Sequence, residues 1–341
     1  MRQRVRATLG ECPEADGIVR RLGRRLAATT ARGYGGHFER FARWCMQQRD
    51  SPSPLPATTP TVLRWLEADV CAGDRVAAGS LQPYLSAINR VHEDCEFDKP
   101  ALGPLVAGYR HGLGREQREA GRADGAASRV YLPPPVMERV LRLGLQLARS
   151  ASCATSRQML QRVRCCVSTL LTFTFFARGD TGASLLCRDV QRNVCGLTIS
   201  LRREKGKGTR AHARAITLPP HAIPELHELL ARWETLRGAS PDGRSFYSLP
   251  GERKTWQSSQ VDSWLRECLA LLGVSPPAGE LWSGHSLRKG AASGAAAIDV
   301  ALHKICWCGG WSVQSSTVHD YIDPTCPASS ACHLFFGWLR A

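Results

Sequence analysis

Between Arg115 and Ser128 the chain reads REQREAGRADGAAS, and the three prolines Pro133, Pro134 and Pro135 follow shortly after. The stretch is polar and glycine-bearing, with almost no large apolar side chain to bury, so one core cannot run through it. The prolines suit chain stiffening and helix initiation. A chain of 341 residues is therefore expected to pack as two bodies: a first domain over 16–115, a linker over 116–134 and a second domain over 135–341. With hydrophobic residues at 43% and charged residues at 22%, both bodies have enough apolar material for a real core.

The first body reads as helices throughout. Tyr34, Phe38, Phe41 and Cys45 recur at helical spacing, with Trp44 beside them. Thr59 as N-cap and Pro60 behind it open a second helix that carries Val62, Leu63, Leu66 and Val70 inward. A third begins near Ser80 and shows Leu81, Tyr84, Leu85, Ile88 and Val91, and a shorter fourth holds Leu102, Leu105, Val106 and Tyr109. No strand signal of any length interrupts them, which predicts a small helical bundle.

The second body is mixed. Helical patterns cover Val136 to Leu147 and Gln158 to Phe176. The alternation from Leu197 to Leu201, the glycine-bearing basic turn around Lys205 and Lys207, and the return from Ala213 to Leu218 predict a β-hairpin. Helices are expected again over Ala222–Leu236 and Ser259–Leu272, and from about Ser286 to the end with a break at Gly309 and Gly310. The whole is mainly α with a small β-hairpin or sheet, without an internal repeat.

Charge narrows the partners. A net charge of +15 favours a polyanion, nucleic acid before an anionic membrane surface, although 39 of the 45 basic residues are Arg, a skew that codon usage alone can produce. A chain this long needs no disulfide staples, so its 14 cysteines are expected to be reduced thiols of an intracellular protein. Cys165/Cys166 and Cys306/Cys308 lack the paired spacing of a zinc site, so no metal is expected. No apolar run approaches the length of a membrane span, and MRQRVRATLG has no apolar signal region.

The chemistry-bearing residues cluster late in the chain. His285 and Arg288 stand three apart in GHSLRKGAAS, where a helix start would turn both toward one side and offer its N–H groups to a phosphate. Trp311 follows Gly309 and Gly310, and Tyr321 lies in VHDYID. Taken singly, each has an ordinary structural reading: a helix-terminal His beside a solvated Arg, a core Trp, a packed Tyr.

Taken together, they resemble the C-terminal signature of the tyrosine recombinases, the phage-integrase family. That signature is an H-x-x-R motif, a second His or Trp after a glycine, and a nucleophilic Tyr. Trp311 lies 26 residues after His285, and Tyr321 ten after Trp311, one more than is commonest. Upstream, Arg178 follows the apolar run Leu170–Phe176, with Leu185 and Asp189 at the family's steps behind it. Where the family commonly has an acid, this chain has Thr181, with Asp180 adjacent. Lys205 and Lys207 both fall where the family carries its hairpin lysine, Lys205 being favoured and Lys207 a close second. The first body resembles the family's helical, SAM-like core-binding domain, and looks closest to versions carried by eukaryotic mobile elements.

The resemblance implies a mixed α/β catalytic domain behind a helical DNA-clamp domain. Activity would be site-specific DNA cleavage and rejoining through a covalent 3′-phosphotyrosine. The catalytic set would be Arg178, Lys205, His285, Arg288, Trp311 and Tyr321, with Tyr321 the nucleophile. Lys205, Lys207, Arg210 and Lys289 would touch DNA. Double-stranded DNA and a homo-tetramer assembled on it are the implied partners, with no cofactor, no metal and no membrane. The protein would work beside the genome, in the nucleus if eukaryotic. The tail from Cys326, with Leu334, Phe335, Phe336 and Trp338, is expected either to dock on a neighbour or to fold back on its own core. Three alternatives stay open: a domesticated, inactive DNA-binding protein; a type IB topoisomerase, against which the helical first body argues; and a membrane-surface protein favoured by charge alone.

Overall fold

The computed structural model describes residues 28–74, 76–120, 128–151, 156–202 and 214–340. They fall into two compact units, Met1–Ala126 and Ala127–Ala341.

The first unit is helical: α1 (Ala28–Gln47), α2 (Thr59–Trp65), α3 (Gln82–Asp94) and α4 (Pro104–Glu119). Phe41, Trp65, Leu66, Leu85 and Ile88 are buried in its core, with the Phe41 and Trp65 rings 5.0 Å apart. The N-cap of α2 is Thr58 rather than Thr59: its hydroxyl accepts from the Thr61 amide at 3.3 Å, while the Thr59 hydroxyl donates to Pro100 O at 2.8 Å. His92 is fully buried, its Nε2 facing the Ala57 amide at 2.8 Å and its Nδ1 facing Ile88 O at 2.9 Å. Only the neutral Nδ1–H tautomer satisfies both contacts, and burial holds its pKa below the ordinary value. On α4 Val106 points inward, but Leu105 on the same helix and Leu102 just before it, read from the sequence as part of the same apolar set, are 63% and 68% exposed. The helix runs to Glu119 because Gln117, buried, accepts from the Ala78 amide at 3.0 Å and donates to Val76 O at 3.1 Å.

In the second unit α5 (Pro134–Ser150) and α6 (Arg157–Thr174) pack against each other, and α6 is buried on every side from Val163 to Thr174. That all-round burial, which takes in Arg164, Ser168, Thr169, Thr172 and Thr174 with the apolar residues, makes it the central rod of the unit. Ser156 caps its start by accepting from the Met159 amide at 3.3 Å. The short helix α7 (Gly179–Ala183) follows, then a three-stranded antiparallel sheet of β2 (Val190–Asn193), β3 (Gly196–Leu201) and β4 (Arg214–Leu218), after the two-residue strand β1 (Ser128–Arg129) earlier in the chain. The hairpin register pairs Leu197 with Leu218 and Ile199 with Ile216, so the alternating apolar residues all face the core. Gly196 sits at φ 119° where a Cβ would meet Leu218 O at 2.1 Å, so the turn before β3 requires glycine. β2 is absent from the sequence reading because its VQRN carries only one inward apolar residue.

Helices α8 (Pro224–Arg237) and α9 (Ser258–Leu272) pack against α5 and α6. Strand β5 (Glu280–Leu281) pairs in parallel with β1, and α10 (Gly284–Ala296), α11 (Leu302–Gly309) and α12 (Ser330–Phe336) complete the unit. The tail folds back on its own core: Phe335 and Phe336 are fully buried, with ring centroids 5.2 and 5.4 Å from Phe173. A buried ion cluster fastens α6 to the loop before α9, with Glu252 accepting from Arg164 at 2.8 Å and from Arg157 at 2.9 Å. Every described cysteine is free. Among the described residues no helix is long and apolar enough to cross a membrane, and no group of three or more His, Cys, Asp or Glu converges on a metal position.

Candidate active site

Helix α10 organises the site. Ser283 caps it by accepting from the His285 amide at 3.3 Å, and its own amide donates to Ser286 Oγ at 3.1 Å, a reciprocal box that fixes the first turn. The Gly284 amide donates to Asp262 of α9. Gly290 lets the chain at Leu132 cross the helix closely, since a Cβ there would lie 2.1 Å from Leu132 O. Held in this way, α10 exposes His285 and buries Arg288, three residues on, to 1% exposure.

The Arg288 guanidinium is the hub of the cluster. It donates to Phe176 O and to Gly309 O, and it lies 3.9 Å from the Trp311 ring centroid and 5.3 Å from that of Tyr321. Both carbonyls belong to turns that the sequence dictates. Phe176, at φ 52°, reverses the chain out of α6 and leads into Arg178 at the N-cap of α7. Gly309 ends α11, and a Cβ on it would penetrate the Trp311 ring, the nearest atom being 1.8 Å away. Gly309 is thus a packing requirement of the indole, while Gly310, at φ 65°, is the left-handed C-cap of α11. Arg178 itself is half-buried and donates no hydrogen bond among the described residues.

Tyr321 closes the cluster. It ends a 3-10 turn, Ser316–Tyr321, with its ring 4.8 Å from His285 and 4.9 Å from Trp311. The indole N–H of Trp311 is buried and has no hydrogen-bond partner among the described residues, so an acceptor reaching this pocket would find a donor in place. Sequence reasoning missed Ser293, which carries no signal of its own. Buried one and a half turns beyond Arg288 on α10, its hydroxyl has two acceptors for its one proton, Lys289 O at 2.8 Å and Tyr321 O at 3.2 Å, and it accepts from the Asp323 amide at 2.8 Å. Arg214 of β4 was also missed. It donates to Trp307 O and Cys308 O, tying the sheet to the end of α11, and burial pushes the neighbouring Cys308 thiol up to about 12.

The remaining sequence candidates fall as follows. Lys289 lies 3.8 Å from Asp323, whose pKa is held below the usual carboxylate value chiefly by its hydrogen bond from Thr325. Lys205, Lys207 and Arg210 lie outside the described residues, between Leu201 and Arg214, the last described pair of the hairpin. Thr181 is buried, whereas Asp180 is exposed and accepts from the Thr181 amide at 2.9 Å. The neighbouring acid therefore turns to the backbone in the first turn of α7, whose N-cap residue is Arg178. Leu185 and Asp189 are both buried, Asp189 accepting from the Leu186 amide at 3.0 Å and from Arg202.

No family model and no curated protein matches the sequence. The fold has counterparts among solved structures. A transposon integrase, from Tn1549, in complex with circular intermediate DNA aligns at TM-score 0.55 and 14% identity, over 89% of this chain and 92% of that one. The XerH site-specific recombinase in a post-cleavage complex with palindromic difH substrate aligns at 0.56 and 13%, over 92% and 82%. A lambda integrase tetramer bound to a Holliday junction aligns at 0.56 and 14%, over 89% and 74%. The chain therefore has the fold of the tyrosine recombinases and integrases.

Proposed function

We propose that this protein is a DNA strand-transferase: a site-specific recombinase or integrase that cleaves and rejoins DNA through a covalent 3′-phosphotyrosine at Tyr321. The observation that carries the reading is the packing of the Tyr321 ring against His285 and Trp311, beside the Arg288 guanidinium, in a fold shared with DNA-bound recombinases. An ordinary packed tyrosine has no need of a buried arginine, an unpartnered indole N–H and an exposed histidine around it.

The chemistry follows from the groups present. Tyr321 Oη forms a bond to phosphorus and gives up its proton, with His285 beside it to assist the transfer. Negative charge grows on the nonbridging oxygens, where Arg178 and Arg288 supply forked, permanently charged donors and Trp311 adds its N–H. The P–O5′ bond breaks, and the leaving oxygen takes a proton from Lys205, or from Lys207. The phosphotyrosine conserves the energy of the broken bond, so a 5′-hydroxyl from another duplex reverses the reaction without ATP. Asp323 and Ser293 position the tyrosine backbone. Lys289 is a weaker candidate for DNA contact, since it faces Asp323 within its own chain.

The two units form the helical DNA-clamp domain and the catalytic domain, exchange takes place in a homo-tetramer on DNA, and the protein works where the genome is kept, the nucleus in a eukaryote. With a net charge of +15, much of the affinity comes from phosphate contacts and falls steeply with salt.

The test is a nicked suicide duplex carrying the element's terminal sequence, incubated in EDTA and run on denaturing gels. Wild type is expected to form a protein–DNA adduct that Tyr321→Phe does not. Salt-sensitive binding by both proteins with no adduct from either, on that sequence, would leave a DNA-binding protein without strand transfer.

A further inference from the structure

The catalytic unit holds a second concavity that the strand-transfer chemistry does not use. It is a cavity of about 420 Å³, formed where the chain leaving α7 meets the segment 241–245 and the run 253–256. Leu186 and Trp256 give it an apolar wall, Ser245 a hydroxyl, and Arg244, Arg253 and Lys254 a cationic mouth. No acidic residue lines it, and none of the three cations has an ion-pair partner among the described residues. The indole N–H of Trp256 is buried and likewise lacks a hydrogen-bond partner among them.

The wall is rigidly backed. Arg164 lies 5.0 Å from the Trp256 ring centroid and Trp264 meets the ring edge-on at 5.2 Å, while Arg164 is itself locked to Glu252 at 2.8 Å. A fixed aromatic side chain and a surplus of positive charge line one small volume. An inorganic anion would leave the aromatic wall unused, and an apolar ligand would leave three cations unused. The volume sits low in the range of roughly 300–1,000 Å³ typical of small-ligand clefts, which suits one aromatic ring system with one charged group.

We propose that this cavity binds a single nucleotide, its base against Trp256 and its phosphate at Arg244, Arg253 and Lys254. The nucleotide is either an unpaired residue of bound DNA or a free mononucleotide; both present the same chemistry to the pocket. Base stacking on an aromatic side chain tolerates any base, so the site is expected to select for a nucleotide without selecting its sequence.

Calorimetric titration of the full chain with 2′-deoxyadenosine 5′-monophosphate tests it. The expected result is saturable binding at one site, with inorganic phosphate alone weaker by roughly tenfold or more. The exposed pair change Arg253→Glu with Lys254→Glu is expected to weaken nucleotide binding by roughly tenfold or more while leaving the melting temperature unchanged. Trp256→Phe is expected to weaken it less. Tyr321→Phe is expected to leave it untouched, so this proposal and the strand-transfer reading fail separately. A duplex with one unpaired 2-aminopurine then identifies the source. Fluorescence quenching on binding that excess mononucleotide reverses assigns the pocket to DNA, whereas mononucleotide binding without quenching assigns it to a free nucleotide. Equal affinity for phosphate and nucleotide, no saturable nucleotide binding, or a charge-reversed protein that binds as wild type does would overturn the proposal.

Discussion

Two arginines in the second unit are buried against tryptophan, and they are held in opposite ways. Arg164 lies 5.0 Å from the Trp256 ring centroid and 5.7 Å from that of Trp264, and meets the carboxylate of Glu252 at 2.8 Å. Arg288 lies 3.9 Å from the Trp311 centroid and donates to the main-chain carbonyls of Phe176 and Gly309. A carboxylate cancels a guanidinium's charge as it fixes its position. Carbonyls fix its direction and leave the formal charge in place. The first arrangement suits a fastening between helix and loop, and the second suits a group that must meet a phosphate.

The comparison can be broken most severely at Glu252. Glu252→Ala leaves Arg164 buried without its partner and also removes the acceptor for the Leu249 amide, 3.1 Å away. A loss of about 3–5 kcal/mol in unfolding free energy is expected by denaturant titration, with the cleavage rate per folded molecule unchanged. Arg288→Lys probes the other arginine. Lysine keeps the charge but loses the fork, so adduct formation is expected to slow by about 10²–10³-fold, with a smaller change in stability than at Glu252. If Arg288→Lys lowered only the melting temperature, the contrast between the two arginines would collapse.

The smallest effect concerns a buried group that is neutral. His92 in the first unit has its pKa lowered by burial from 6.5, so the unfolded chain binds the proton more readily than the folded one. Stability from this group is complete above pH 6.5 and is lost as the pH falls from there through the lower folded-state value. Protonation would also set an N–H against the Ala57 amide. Thermal melts of the first unit are expected to shift downward below pH 6.5 in wild type, and less so in a variant lacking the imidazole.

Much of this was legible in the sequence, for reasons specific to each element. The hairpin could be read because Leu197, Ile199, Ile216 and Leu218 alternate, and period-two burial admits a single register. The cluster around Tyr321 could be read because its members are chemically distinctive and their spacing is fixed by α10 and α11. Other features left no trace. Ser293 matters only through the backbone atoms of Lys289, Tyr321 and Asp323 that it touches, and serine on a helix is unremarkable. The turn before Tyr321 was read as helical but closes as a 3-10 segment, where Thr317 and Val318 are β-branched and Pro324 follows shortly after. Leu102 and Leu105 carry an apolar pattern that no partner covers within their unit. The pocket beside Trp256 brings the chain at 183–186 against the distant segments 241–245 and 253–256, so no local pattern could announce it.

One helix carries more than its length suggests. His285, Arg288 and Ser293 all stand on α10, and the Ser293 hydroxyl clasps the backbone on either side of Ile322. Tyr321 is therefore geared to the same rod that presents the charge and the imidazole. A tilt of that rod would disengage all three together, so the site behaves as a single latch. Drift in any residue that seats α10, Gly290 or Ser283 among them, would release the latch without touching a reacting atom.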